Sequence, residues 1–229
     1  MPEENVKKAL ESILQYNYKE NLEDFANPFR VYALNNEAGL LLCTLPYGGR
    51  PQFPFYFCQI APYDYSLIEW EGSQFLREQQ QMAEKIIPNS RMACLMDAGL
   101  EYGIHPRKKR QAGERLAVLA LSNTYGVKGL PDFAEYANVE FQGDTAVVAF
   151  DRSKEWVYFE NGKPDSDLYE VAGEDGVFHE AEAWISRNRL YLKSEKVKKP
   201  VAVRYAWKDW AQGDLMHDGL PVSSFRSDK

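Results

Sequence analysis

The chain has 229 residues, enough for one large domain or two small ones, and its composition, 45% hydrophobic and 27% charged, is typical of a globular protein. A formal net charge of -7 argues against a nucleic-acid backbone as partner. No apolar run approaches the roughly 20 residues that span a bilayer, and the polar start predicts no signal peptide. We therefore expect no nucleic-acid partner, no membrane partner and, for the chain as written, a cytoplasmic location.

Residues 1–50 contain no catalytic motif. Apolar positions between residues 3 and 26 follow the spacing of one helical face and predict a helix that ends at Pro28. Residues 40–43 predict a short strand after the turn residues Asn35 and Asn36. We treat residues 1–50 as an N-terminal helical segment whose relation to the rest is open.

Residues 51–127 predict part of an α/β layer. The apolar and aromatic run 53–61 is typical of a strand buried on both faces, as in a parallel sheet. Helical spacing over 73–87 and an apolar run at 92–96 complete a strand–helix–strand crossover. A second helix is predicted from Pro106 to Tyr125, with Gly126 as its cap. These strands are too few for a complete doubly wound sheet.

Residues 128–229 predict an antiparallel β-sandwich-like domain, because the apolar period changes from about 3.6 to about 2. Turn residues separate the predicted strands, and the tail from residue 210 to 229 looks irregular. The predicted strands cover residues 139–141, 145–150, 156–159, 168–172, 181–185, 190–193 and 201–207.

His105 is the first candidate for catalysis. It lies in a loop between the 92–96 strand and the second helix, and such loops form the carboxyl edge of a parallel sheet, where open α/β folds keep their active sites. A histidine there can act as a general base with a carboxylate that orients its ring. Asp97 is the first candidate for that acid and Glu101 the second. The alternatives are a structural histidine, a turn cap at Asp97 and a solvated Glu101.

Four cations follow His105, from Arg107 to Arg110, and occupy the first turn of the predicted helix, where the helix dipole disfavours positive charge. A solvated surface is the default interpretation, with a specific ion pair for at least one of them, Lys109 in particular. Aromatic residues on the predicted β-strands are expected to pack in the core, although an exposed subset could stack on sugar rings. They are Trp156, Tyr158, Trp184, Tyr191, Tyr205 and Trp207.

The sequence predicts no metal site and no cofactor. Cys58 and Cys94 lie inside apolar runs, and with Cys43 the cysteines are odd in number and far apart, so buried free thiols are favoured over disulfides or a metal site. His179 and His217 have no companions at ligand spacing. No nucleophile elbow, P-loop or dinucleotide fingerprint occurs.

Several blocks, in the right order, resemble the sialate O-acetylesterases, which belong to the SGNH-type carbohydrate esterases together with acetylxylan esterases. The blocks are PQFPFYFCQIAPYDY, DAGLEYGIHPRKKRQAGERLAVLAL with NTYG, VAGEDGVFHEAEAWI, VAVRYAW and GLPVSSFRSD. The resemblance covers roughly residues 51–228. It implies a C-terminal portion of such an enzyme, with a partial doubly wound (SGNH, flavodoxin-like) α/β/α layer before the β-sandwich-like domain. It also implies removal of acetyl groups from sugar hydroxyls through a serine nucleophile, with His105 as general base and then acid.

The chain departs from that family at two points. Neither a Gly-Gln-Ser-Asn-like nucleophile block nor a Gln-Gly-Glu-Ser-Asn-like block with the oxyanion-hole asparagine is present. Many SGNH hydrolases carry an aspartate three residues before the histidine, where this chain has Tyr102. Asp97 is then the best orienting acid, with Glu101 behind it. A histidine without a serine and oxyanion donors lacks the nucleophile and most of the electrostatic stabilisation.

We therefore expect a carbohydrate O-acetylesterase acting on acetylated sialic acid or xylan-type sugars, with the nucleophile supplied by a complementary N-terminal chain or upstream coding sequence. Full-length relatives are often exported or periplasmic. One alternative is a non-catalytic carbohydrate-binding or interaction fragment of the family. A weaker one is an esterase with an unorthodox nucleophile such as Ser66 or Ser73.

Overall fold

The computed structural model describes the backbone of residues 29–36 and 39–46, and residues 54–66, 72–153 and 156–228 in full. Its described part is a mixed α/β structure with mostly antiparallel sheets and few helices. No helix among these residues has the length and apolar character needed to cross a membrane.

An antiparallel hairpin of β1 (Phe29–Asn36) and β2 (Gly39–Pro46) comes first in the described chain. The strand predicted at residues 40–43 lies inside β2, and the turn residues Asn35 and Asn36 end β1. The helix predicted between residues 3 and 26 lies outside the described residues.

The predicted crossover is confirmed. Strand β3 (Phe55–Cys58) pairs in parallel with β4 (Ser90–Ala93), and helix α1 (Ser73–Ile86) lies between them in sequence. The prediction that the 53–61 run is buried on both faces was wrong. The side chains of β3 are only half-buried, because β4 is the single strand that pairs with it among the described residues.

Helix α2 (Lys109–Asn123) begins three residues later than predicted, after a loop that holds Pro106. It ends at Asn123, two residues before the predicted end at Tyr125, and the predicted glycine follows. Gly126 takes a left-handed conformation at φ 69°, and the Val127 N–H donates to the Leu121 carbonyl at 3.0 Å. This bond satisfies a carbonyl that the last helical turn leaves free, which is the usual role of a glycine at this position.

The β-rich region contains two four-stranded antiparallel sheets that resemble a sandwich loosely. The first sheet has the strand order β10 (Glu182–Ser186), β11 (Arg189–Lys193), β6 (Thr145–Asp151), β5 (Glu135–Gln142). The second sheet has the strand order β15 (Phe225–Arg226), β12 (Ala202–Tyr205), β8 (Tyr169–Ala172), β9 (Phe178–Glu180). The seven predicted strands are all present, while the short strand β9 was missed. One of the predicted strands, β7 (Val157–Phe159), lies outside these two sheets.

The tail was predicted as irregular, and this prediction was wrong. It forms β13 (Leu215–His217) and β14 (Leu220–Pro221), which make a three-stranded sheet with β7, before β15 joins the second four-stranded sheet. These strands are two or three residues long, which is too short for an alternating pattern to be visible in the sequence.

One continuous hydrophobic core joins the α/β layer to the β-rich region. Ala93, Met96 and Leu119 from the α/β layer pack in the same cluster as Val148, Leu190 and Tyr205 from the sheets. The predicted division at residues 51–127 and 128–229 therefore separates two kinds of secondary structure around a shared core, and the domain boundaries themselves stay a prediction.

Candidate functional site

The loops that follow the two parallel strands meet at one edge of the sheet. The Asp64 N–H, after β3, donates to the Glu101 carbonyl, after β4, at 3.0 Å. Gly99 permits this close approach, since a Cβ atom there would collide with the carbonyl oxygen of Pro62. The carboxyl edge of β3 and β4 is thus a single surface built from two loops.

His105 lies on this surface and is exposed. A tight turn precedes it, in which the Gly103 N–H donates to the Leu100 carbonyl at 3.1 Å. Its neighbour Ile104 is also exposed. Among the described residues the imidazole makes no hydrogen bond or ion pair, so it is open to solvent and to a ligand.

Asp97 does not contact His105 and instead forms a buried ion pair with Arg115 from helix α2. The two guanidinium nitrogens donate to its two carboxylate oxygens at 2.7 and 2.6 Å. Arg115 also donates to the Cys94 carbonyl at 2.9 Å, and both side chains of the pair are about 6% exposed. Bidentate pairing of this kind fixes geometry as well as charge. It fastens the end of β4, and with it the start of the His105 loop, to helix α2.

Glu101 is half-buried and lies beside Tyr102, whose ring is 72% exposed. A hydrogen bond and the charge of Glu101 raise the pKa of the Tyr102 hydroxyl. Glu101 therefore has a partner on its own loop, and nothing in the structure links its carboxylate to His105. The roles of Asp97 and Glu101 as orienting acids stay predictions.

Among the four cations from Arg107 to Arg110, Lys109 was expected to form a specific ion pair. The ion pair in the described structure is formed by Arg110 instead. Arg110 pairs with Glu114 one turn along the helix at 2.6 Å, on the exposed surface. Lys108 donates to the carbonyl oxygen of Asp97 at 2.8 Å, while Lys109 makes no such contact among the described residues. Lys108 thus adds a second tie between the start of helix α2 and the end of β4.

A buried polar cluster beneath this edge was missed by sequence reasoning. Gln59 donates to the Ser223 hydroxyl at 2.6 Å and accepts from the Cys94 thiol at 3.3 Å. Arg77 is fully buried, and its guanidinium donates to Ser73 at 3.0 Å and Ser224 at 3.2 Å. Gln59 is the one polar residue within an apolar run, which was the available signal. The cluster joins the tail to the end of β3.

Burial shifts the pKa values of this cluster. It raises the pKa of the Cys94 thiol to about 12 and lowers that of the Arg77 guanidinium to about 10. Cys58 and Cys94 are free thiols, as predicted, although Cys58 is only half-buried. A thiol whose pKa is raised in this way is a poor nucleophile at neutral pH. We therefore assign Cys94 to packing.

Serine nucleophiles are not in place among the described residues. Ser73 is buried, and its hydroxyl accepts a hydrogen bond from Arg77. Ser66 is exposed after β3, where its N–H donates to Asp64 at 2.9 Å. Neither hydroxyl is hydrogen-bonded to His105. The described residues also contain no cluster of three or more His, Cys, Asp or Glu side chains able to hold a metal ion.

Comparison with known proteins finds an informative structural resemblance. Neither a family model nor a curated protein sequence matches the chain significantly. A solved structure does match: a carbohydrate acetylesterase from Xanthomonas citri, with 33% sequence identity and a TM-score of 0.72. The match covers 79% of this chain and 42% of the acetylesterase, so this chain spans less than half of that protein. The described α/β layer and β-rich region therefore resemble part of a carbohydrate acetylesterase.

Proposed function

We propose that this chain is the C-terminal part of a carbohydrate O-acetylesterase of the SGNH type, related to the sialate O-acetylesterases. The observation that carries the proposal is the likeness in both sequence and fold to the Xanthomonas citri enzyme. The position of His105 supports it, because the histidine lies exposed at the carboxyl edge of a parallel strand pair. The substrate class is an acetylated carbohydrate, with sialic acid and xylan-type sugars as candidates.

In this proposal His105 removes a proton from the attacking hydroxyl and returns it to the leaving sugar oxygen. Asp97 contributes through Arg115 by fixing the base of the loop, rather than by bonding to the imidazole. His105 is exposed, so a segment that carries the serine and the oxyanion donors can approach it. We propose a complementary N-terminal chain as the source of both, since neither block occurs in these 229 residues.

Hydrolysis of p-nitrophenyl acetate by the purified chain tests the role of His105. An exposed imidazole can still act as a general base toward water, so we expect a slow rate above that of buffer. His105→Ala should lower this rate by about tenfold or more, since general-base catalysis contributes at least that much. His179→Ala is the matched control, because His179 is half-buried on β9 and should leave the rate unchanged.

Rates equal to buffer in all three preparations would contradict an esterase role for this chain and favour a non-catalytic carbohydrate-binding role. A fluorophosphonate probe tests the origin of the nucleophile. We expect no adduct on this chain, whereas labelling of Ser66 or Ser73 would mean that the chain supplies its own serine.

A further inference from the structure

A groove with a volume of about 890 Å³ lies along strand β10, on the β-rich region. Three segments form its walls: the stretch from Pro164 to Ser166, residues 180–184 at the start of β10, and residues 193–196 at the end of β11. None of its lining residues belongs to the His105 loop or to the parallel strand pair. The groove is therefore a separate feature from the candidate catalytic edge.

Trp184 provides an aromatic wall for this groove. It is 36% exposed and lies directly opposite Tyr191 in the β10–β11 register. The two rings are stacked, with centroids 5.4 Å apart and planes 15° from parallel. Strand β10 is the edge strand of its sheet in the described part of the chain, so no neighbouring strand covers the other side of the indole. Tyr191 thus fixes the indole in one orientation beside an open groove.

An aromatic ring held in this way suits a pyranose ring. The axial C–H bonds of a sugar carry partial positive charge and pack on the negative face of an aromatic π-system. Holding the ring in advance lowers the side-chain entropy that binding would otherwise cost.

The groove also holds polar groups that have no hydrogen-bonding partner among the described residues. Ser194 is 7% exposed and lines the groove, yet its hydroxyl makes no hydrogen bond among the described residues. The carboxylates of Glu180 and Glu182 line the same groove and make no hydrogen bond or ion pair within the described chain. These hydroxyl and carboxylate oxygens are therefore available to bond the hydroxyl groups of a ligand in the groove.

The charges of the groove indicate a ligand without negative charge. Glu180, Glu182 and Glu195 face only two lysines, Lys193 and Lys196. Lys193 is also paired with Asp144 at 2.7 Å, so the three carboxylates outweigh the positive charge of the two lysines in the lining. Carboxylates accept hydrogen bonds from sugar hydroxyls but repel an anionic sugar such as a sialic acid or a uronic acid.

From the stacked Trp184, the unpartnered Ser194 and the acidic rim, we propose that this groove binds a neutral oligosaccharide, separately from the His105 edge. The site holds a saccharide chain by one stacked ring and by hydrogen bonds to its hydroxyls. Saccharide binding in this groove does not depend on ester hydrolysis at the His105 edge. Loss of esterase activity would therefore leave it intact, and its own failure would leave the esterase proposal intact.

Isothermal titration of the full chain with neutral hexasaccharides of xylose and of glucose tests the site, with sialyllactose as the anionic comparison. We expect a dissociation constant of about 1 mM or tighter for at least one neutral hexasaccharide. Trp184→Ala should weaken that binding by about tenfold or more, and Trp184→Phe should retain part of it. Ser194→Ala should weaken binding to a smaller degree, since it removes one hydrogen bond.

Trp156→Ala is the matched control, because Trp156 is 64% exposed and lies outside the groove. It should bind like the wild-type chain, and thermal melting should show that each variant is folded. Absence of binding to both neutral hexasaccharides would overturn the proposal. So would equal affinity for sialyllactose, or unchanged affinity in a folded Trp184→Ala chain.

Discussion

The α/β layer and the β-rich region are held together by different forces. In the α/β layer, buried charged and polar side chains fix the ends of strands and helices, as Asp97, Arg115 and Arg77 show. In the β-rich region, fully buried aliphatic and aromatic residues such as Leu190, Leu192 and Val203 fill the space between two sheets. Hydrogen bonds and ion pairs depend on direction, whereas apolar packing depends mainly on buried area.

This difference assigns different tasks to the two regions. A bidentate ion pair holds a loop in a defined position, which a catalytic histidine requires. An apolar core supplies most of the stability, and it continues from the sheets to Met96 and Leu119 beneath the loop. The account therefore predicts that breaking the ion pair disturbs the His105 edge, and that breaking the core lowers the stability of the whole chain.

The largest effect is expected for Asp97→Ala, because it leaves the Arg115 guanidinium buried without a counter-charge. Removing one partner of a buried pair costs about 3–5 kcal/mol in the free energy of unfolding. Urea denaturation measures this loss. The double variant Asp97→Ala with Arg115→Ala should lose less than the sum of the single variants, and strict additivity would contradict the coupling.

Leu190→Ala should cost about 2–5 kcal/mol, since the side chain is completely buried between the sheets and its removal leaves a cavity. Leu121→Ala is the control, because Leu121 is 41% exposed on helix α2 and should change stability little. The ion pair is assigned to positioning the His105 loop, and the apolar core to stability. This assignment would be wrong if a folded Leu190→Ala chain lost esterase activity while a folded Asp97→Ala chain did not.

A smaller effect is expected for Asp209→Ala, which removes a contact between the segment after β12 and the α/β layer. The Asp209 carboxylate accepts hydrogen bonds from the N–H groups of Gly72 at 3.1 Å and Ser73 at 2.6 Å, at the start of helix α1. Loss of a carboxylate at a helix N-terminus costs about 1 kcal/mol, and the loss here should be at least that large because the Asp209 charge also favours the buried Arg77 guanidinium. Asp209→Asn keeps the acceptor oxygen and should lose less, as thermal denaturation would show. Equal losses in both variants would contradict this capping role.

The smallest effect concerns Cys94, which should resist alkylation in the folded chain. Burial raises its pKa to about 12, so iodoacetamide at about pH 8.5 should modify the half-buried Cys58 before Cys94, as peptide mass spectrometry can show. The ordinary thiol pKa is 9.0, and the folded value lies above it. The thiol therefore contributes stability that is complete below pH 9 and is lost as the pH rises toward 12. Alkylation of Cys94 at the rate of Cys58 would show that the packing around it is open.

Much of the fold follows from patterns within short stretches of sequence. The alternation of apolar residues predicted β6 and β11, and the helical spacing of residues 73–87 predicted helix α1. What could not be predicted depends on contacts between distant residues. The tail strands β13 and β14 are too short to show an alternating apolar pattern. They form because β13 pairs with β7 and because the tail packs on the core.

The site shows the same limit. The position of His105 after a parallel strand was predictable from the apolar run and the loop residues around it. The ion-pair partner of Asp97 was not predictable. Arg115 lies 18 residues away on a helix, and the sequence pattern of that helix does not indicate that the Arg115 side chain faces the core. Helix α2 turns Arg115 toward the end of β4, and only the packed structure shows that this cation meets the carboxylate first.

The most direct test of the account is release of acetate from acetylated xylo-oligosaccharides and from O-acetylated sialic acid, followed by proton NMR with the wild-type chain and His105→Ala. We expect slow release from at least one of these substrates by the wild-type chain, and none above buffer by His105→Ala. Equal release above buffer by both chains would contradict the claim that the His105 edge is part of a carbohydrate acetylesterase site. No release by the wild-type chain would contradict the expectation that this chain alone activates water.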